Sequence, residues 1–217
     1  MRNVGVLAVL AAAAALLPTL VAAQDGRFAL RARIVSVRPD ASSSVIEGSG
    51  ATMDVGSATA AEVGAVYMFH WAWGVELGYL RSGHDFDSAG GTLGDFRAGS
   101  FKLATTIVTL QYHFPTLGVL RPYLGLGLNH AGFSSCDVSE QLRTLGVSGI
   151  SIEDSFGPAF QAGLDVAVTD RIAVNVDARF ARVSSDTEIS LSSGGVLDVL
   201  KLDLDPWLIG IGVSYSF

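Results

Sequence analysis

Four histidines, a single cysteine and a scatter of charged side chains are the residues of this 217-residue chain that could do chemistry. His130 precedes Ser134 and Ser135, and Glu153 and Asp154 follow further on. A nucleophile, a base and an acid of those types could serve lipid hydrolysis, but that chemistry needs them on one face with a third group orienting the base. Nothing in the spacing supplies that third group, so the chain reads as a non-enzyme. His70, His84, His113 and His130 lack the paired spacing of metal ligands, so neither a metal nor a cofactor is expected. Cys136 has no second cysteine to pair with and no base beside it, which makes it a loop cysteine. No phosphate-cradling glycine loop is present, and the Gly-Gly pairs at 90–91 and 194–195 read as turns.

The remaining charges are distributed in a different way. Arg31 and Arg33 stand two residues apart, while Glu62, Glu76, Asp165, Asp177 and Arg179 interrupt stretches that are otherwise apolar or glycine-rich. Each shares a sequence parity with small or polar neighbours: Gly78, Gln111, Asn129, Gln161 and Asn175 fall on the same faces. Charges so placed in a narrow interior must pair, because an unpaired buried charge is very costly. These twelve residues are therefore expected to line a lumen, holding it together or contacting a solute.

The elements that position them are strands. In VTLQYHF, Val108, Leu110, Tyr112 and Phe114 alternate with Thr109, Gln111 and His113. In WAWGVELGYL, Trp71, Trp73, Val75, Leu77 and Tyr79 alternate with smaller or polar residues, and RPYLGLGLN, SFGPAFQAGLDVAV and RIAVNVDARF follow suit. Period-two patterning of this kind marks strands with one apolar face. Eight such segments run over about 26–38, 58–70, 72–83, 101–114, 121–133, 154–169, 171–186 and 200–217, within a few residues. Short connections at His70–Ala72, PTLGVL and Thr169–Asp170 alternate with long ones at 39–57, 84–100, 134–153 and 187–199, where VSEQLRTLG predicts a helical turn. This predicts an all-β fold, an eight-stranded antiparallel transmembrane β-barrel with short periplasmic turns, long extracellular loops and both termini periplasmic. Trp71, Trp73, Tyr112, Phe114, Tyr123, Tyr215 and Phe217 fall near the periplasmic strand ends and predict an aromatic girdle at the headgroup level. The closing DPWLIGIGVSYSF reads as the last stave, pairing with the first to abolish the sheet edges.

Residues 1–23 have the basic start, apolar stretch and small-residue end of a secretory signal peptide, cleaved after Ala23, leaving 24–217 as one barrel domain. Their apolar run of about 14 residues is too short to span a bilayer. Removing Arg2 with that leader lowers the 14 basic residues to 13 against 21 acidic ones. So acidic an exported chain is excluded as a nucleic-acid binder, which needs basic surface for phosphates. Its expected partners are outer-membrane lipid and lipopolysaccharide.

LRARIVSVRP, YMFHWAWGVEL, RPYLGLGLN, DSFGPAFQAGLDV and LDPWLIGIGVSYSF together resemble the OmpW family of outer-membrane proteins, in the same order and with similar spacing. The resemblance implies localisation in the outer membrane and a hydrophobic lumen passing small apolar molecules, with sideways release into the bilayer. Tyr215 and Phe217 also resemble the terminal aromatics read by the outer-membrane assembly machinery. Two departures bear on the cargo. Gly78 stands where the family has a leucine of its constriction, and Arg179 where it has a tryptophan. KLATT replaces a proline-bearing stretch, which predicts a continuous fourth strand and no opening there.

Two functions follow. One is a narrow channel for passive passage or binding of small hydrophobic molecules. The other is a structural, adhesive or receptor barrel that acts through its extracellular loops, with a closed lumen. A continuous apolar path past Gly78 and Arg179 favours the first; a sealed layer of arginine–carboxylate pairs favours the second.

Overall fold

The computed structural model describes residues 27–40, 44–45, 52–90, 94–144, 146–193 and 195–217. The expected leader at 1–23 and one glycine of each Gly-Gly pair lie outside them. In chain order the strands are β1 Phe28–Arg38, β2 Ser44–Val45, β3 Thr52–Val55, β4 Ala58–Met68, β5 Trp73–Ala89, β6 Phe96–His113 and β7 Leu120–Val138. After a helical turn, α1 Glu140–Thr144, come β8 Val147–Ile152, β9 Ser155–Ala167, β10 Ile172–Ala181, β11 Ser184–Leu191, β12 Val196–Asp203 and β13 Trp207–Ser216.

Eight of these strands form a closed antiparallel barrel in the order β1–β4–β5–β6–β7–β9–β10–β13. Closure is made by β1 and β13, in register from Ala29–Ser216 to Arg38–Trp207. Alternation sets the two faces. Ile34, Val63, Leu128 and Ile211 point outward and are each more than half exposed, as suits a lipid-facing band. Inward positions are buried, mostly polar toward one end of the barrel and apolar toward the other. At the closing seam a Cβ on Gly212 would stand 1.9 Å from the Ala32 carbonyl oxygen, so the two strands meet this closely only because the side chain is missing.

Short connections at 69–72, 114–119 and 168–171 lie at one end, hereafter the turn end. In the last of them Thr169 Oγ1 accepts hydrogen bonds from the Arg171 and Ile172 amides at 3.3 and 3.0 Å. The loop end differs from expectation. β5, β6 and β7 run past their expected limits at 83, 101 and 133, because Phe86, Ala98, Phe101 and Phe133 keep the alternation going and bury one another there. The expected seventh and eighth strands each break in two. The chain leaves the barrel ladder after Ala181, and Pro206, which has no amide proton to donate, separates β12 from β13. The freed segments form a three-stranded sheet in the order β12–β11–β8. The predicted helical turn is present, with the Leu142 amide donating to Ser139 Oγ at 3.4 Å.

Candidate functional site

Residues i and i+2 of a strand share a face, so β1 sends Arg31, Arg33, Val35 and Val37 inward in sequence from the turn end upward. The lumen follows that order, ionic below and apolar above.

In the lower half Arg31 donates to Glu76 Oε2 at 2.8 Å and to Asp165 Oδ2 at 2.7 Å, with its guanidinium 4.8 Å from the centre of the Tyr123 ring. Arg33 donates to Asn175 Oδ1 at 2.7 Å and to Glu62 Oε1 at 2.5 Å, pairs with Glu76, and lies 3.3 Å from Asp177 Oδ2. Arg179 pairs with Glu62, its Nε 3.3 Å from Asp177. Amides fill the spaces between the charges. Gln111 donates to Glu76 at 2.5 Å and to Gln161 Oε1 at 2.9 Å, and Gln161 donates to Asp177 at 2.7 Å. Asn175 donates to Asp165 at 2.6 Å and to the Tyr123 hydroxyl at 3.0 Å. Three guanidiniums thus face four carboxylates, a mutual compensation without which burial of either kind would be prohibitive. Arg179 is 1% exposed, and Gln111 and Asn175 are 0%, so no water-wide passage runs through this layer.

Gly78 and Arg179 form one unit. A Cβ at Gly78 would lie 3.4 Å from Arg179 Nη1 and 3.5 Å from Glu62 Oε1, in ordinary contact, so a methyl would fit and any longer side chain would run into this ion pair. Asn129 is a lumen residue of another kind. It lies away from the ionic layer and donates to the carbonyls of Gly157 and Arg182, both at 3.0 Å, where β10 leaves the ladder. Tyr123 corrects the expected girdle: it is 1% exposed and points into the lumen, because position 123 shares the parity of Gly125 and Asn129. The other expected girdle residues gather at the turn end. Trp73 and Tyr112 have ring centres 5.0 Å apart, Tyr112 and Phe114 5.0 Å, Tyr215 and Phe217 5.1 Å, and Trp71 is 70% exposed. A second aromatic group, Phe156, Phe160, Phe180 and Trp207, lies toward the loop end.

Above the ionic layer Val35, Val37, Ala60, Leu80, Ile107, Ala159, Ala181 and Leu208 form an apolar belt. A second cluster above it is built on Phe86, Phe101, Leu103, Phe133, Val183 and Leu204, with Cys136 packed at its edge. Sequence reasoning left both unassigned, although the parity of Arg31 and Arg33 carries through to Val35 and Val37.

The wall beside the belt is not uniformly zipped. The β5–β6 register is unbroken from Trp73–Tyr112 to Phe86–Gly99, as the loss of the prolines predicts. Between β4 and β5 the register stops at Glu62–Leu80. It resumes only where the Gly56 amide donates to the Asp85 carbonyl at 2.9 Å, beyond which β3 takes over. A side-chain relay spans the interruption. His84 Nδ1 donates to the Gly56 carbonyl at 2.8 Å, which leaves Nε2 to accept from Ser82 Oγ at 2.8 Å.

His130 faces outward, 3.5 Å from Asp154 Oδ2 and tilted against Phe156 with ring centres 4.4 Å apart. Neither Ser134 nor Ser135 is bonded to it, and the described residues hold no group of three or more potential metal ligands.

The barrel has counterparts among known proteins. The chain is 34% identical over 119 residues to an uncharacterised outer-membrane protein, y4mB, of Sinorhizobium fredii, a match covering 55% of this chain and about half, 49%, of that relative. Outer membrane protein W of Vibrio cholerae is 29% identical over 197 residues, covering 89% of this chain and 90% of its own. The crystal structure of the outer membrane protein OprG from Pseudomonas aeruginosa superposes with a TM-score of 0.79 at 30% identity, over 88% of this chain and 95% of that one. The family profile matches residues 24–217, and this outer-membrane β-barrel belongs to the OmpW family.

Proposed function

We propose that this barrel takes up small, largely apolar molecules at its loop end and releases them sideways into the membrane, not through its floor. The reading places the loops outside the cell and both termini in the periplasm, as an even number of staves with short turns at the terminal end favours. The observation that carries it is the division of the lumen. Val35, Val37, Leu80, Ile107 and Leu208 are packed closed, 0–3% exposed, but parting them sets an apolar solute against apolar side chains, whereas the layer beneath them is closed by ion pairs. An apolar molecule that displaced those ion pairs would leave charges unpaired in a low-dielectric space, a cost of several kcal/mol by the usual order of magnitude. The solute's remaining exit is through the wall, and the interrupted ladder between β4 and β5, level with Leu80 and Ser82, is the seam that supports this route. The resemblance to OmpW proteins, whose lumen is associated with small apolar molecules, agrees with this reading.

Uptake by proteoliposomes tests it. A small aromatic hydrocarbon should enter barrel-containing liposomes faster than empty ones, and a charged analogue of the same size should not. Equal rates for the hydrocarbon with and without protein would exclude transport. The second reading, a closed barrel acting through its loops, draws on the same sealed layer and on the β12–β11–β8 sheet standing above the barrel; it is the one left if hydrocarbon uptake fails.

A further inference from the structure

The outer wall carries a pair of cations that the lumen chemistry does not use. Arg81 on β5 and Lys102 on β6 both point outward and are exposed. In the β5–β6 register Arg81 lies opposite Ala104, and Lys102 opposite Gly83. The two cations therefore occupy the diagonal corners of one outward-facing square, on the order of 7–8 Å apart. On the other side of β6, Ala104 faces Gly132 and Lys102 faces Ser134. A floor of small residues three strands wide, roughly 10 Å across, thus surrounds two like charges. At Gly83 it is open, with no atom within 4 Å of where a Cβ would stand, and at Gly132 it is bounded by Asp154 Oδ1 and the His130 ring, each 3.6 Å from the corresponding position.

Neither cation pairs with a carboxylate among the described residues. The nearby acids are engaged elsewhere: Asp85 pairs with Arg97, and Asp154 accepts from the Phe133 amide at 3.2 Å and faces His130. Like charges side by side without a counter-ion are unfavourable at any surface and more so beside hydrocarbon, where solvation is poor. Their height identifies what neutralises them. Trp73 and Tyr112 mark the turn-end interface. Eight residues up β5, at about 3.3 Å each and tilted by about 40°, place Arg81 roughly 20 Å above it, and Lys102 is a further two rungs up, at roughly 25 Å. The apolar band of such a barrel is about 25 Å tall, so both cations sit where the loop-end leaflet carries its phosphates.

We infer that Arg81 and Lys102 hold the phosphate of a phosphorylated glycolipid of the outer leaflet, with its sugar resting on Gly83, Ala104 and Gly132. The guanidinium can grip two phosphate oxygens at once while the ammonium supplies a point charge, and Ser134 adds a hydroxyl donor. The broad floor of small residues, open at Gly83 and bounded at Gly132 by Asp154 and His130, favours a sugar-bearing headgroup over the smaller one of a glycerophospholipid. This assignment concerns lipid contact and stands apart from the cargo reading.

The test uses the folded, delipidated barrel in non-ionic detergent, with bound lipid counted by native mass spectrometry. The probes are phosphorylated lipid A, dephosphorylated lipid A, phosphatidylglycerol and inorganic phosphate. Phosphorylated lipid A should bind the unmodified barrel best. R81Q/K102Q should weaken that binding by about tenfold, equivalent to about 1.4 kcal/mol, and R171Q, which removes an exposed cation at the turn end, should leave it unchanged. Gly83→Phe, which keeps both charges but blocks the floor, should weaken it as well. A heat-dependent gel shift confirms that each variant is folded, and R81K and K102R serve as charge-retaining controls should the double variant fail to fold. Equal binding by the barrel and R81Q/K102Q overturns the site. Binding of phosphatidylglycerol or inorganic phosphate as tight as that of phosphorylated lipid A overturns the glycolipid assignment.

Discussion

Arg33 is heavily committed in the lumen, meeting Glu62, Glu76, Asp177 and Asn175. Replacing it by methionine strands those carboxylates in a space without water. Urea unfolding of the detergent-folded barrel is expected to show a loss of about 3–5 kcal/mol, the usual cost of removing one partner from a buried pair. Gly78 gives a test of coupling. Gly78→Leu drives a side chain into the Arg179–Glu62 pair and is expected to cost about 1–3 kcal/mol through overpacking. Gly78→Leu with Arg179→Leu should cost less than the sum of the two single changes, because the second substitution removes the group the first collides with. Purely additive losses would mean that the two positions are independent. The sequence made both positions visible, as separate departures from a family pattern. That one exists to accommodate the other was not legible, because it depends on two strands whose facing positions are set only by closure of the barrel. Tyr123 was misplaced for a related reason. Its neighbourhood suggested a girdle while its parity said lumen, and parity decides.

Among the elements, the interrupted pairing of β4 with β5 is the feature with the largest consequence. Closing it should close the exit. Ala60 and Ser82 face inward on either side of the break. In a Cys136→Ser background, Ala60→Cys with Ser82→Cys should form a cross-strand disulfide, verifiable by mass spectrometry. Oxidation should bring hydrocarbon uptake near to that of empty liposomes, and reduction should restore it. Uptake unaffected by a verified disulfide would move the exit elsewhere. The eight staves were readable from alternation because a barrel wall separates lipid from lumen along every strand. The upper ends were not, since there β5, β6 and β7 bury Phe86, Phe101 and Phe133 among polar and glycine residues that imitate loop composition. The bends at Ala181 and Pro206 turn two apparently continuous strands into four.

At the scale of the whole molecule, the barrel interior is a packed apolar upper half on an ionic floor. Composition exposed the apolar wall and the isolated charges but could not say how the charges stack, since that needs side chains from five strands to meet at one height. The floor is the central claim, and it distinguishes this barrel from a water-filled pore. The most direct measurement is ionic conductance across a planar bilayer containing the purified barrel in molar salt. No steady conductance above the bare bilayer is expected, because Arg31, Arg33 and Arg179 with their four carboxylates leave no water-wide path. Reproducible unitary conductance steps from the unmodified protein would contradict that floor, and with it the sideways route.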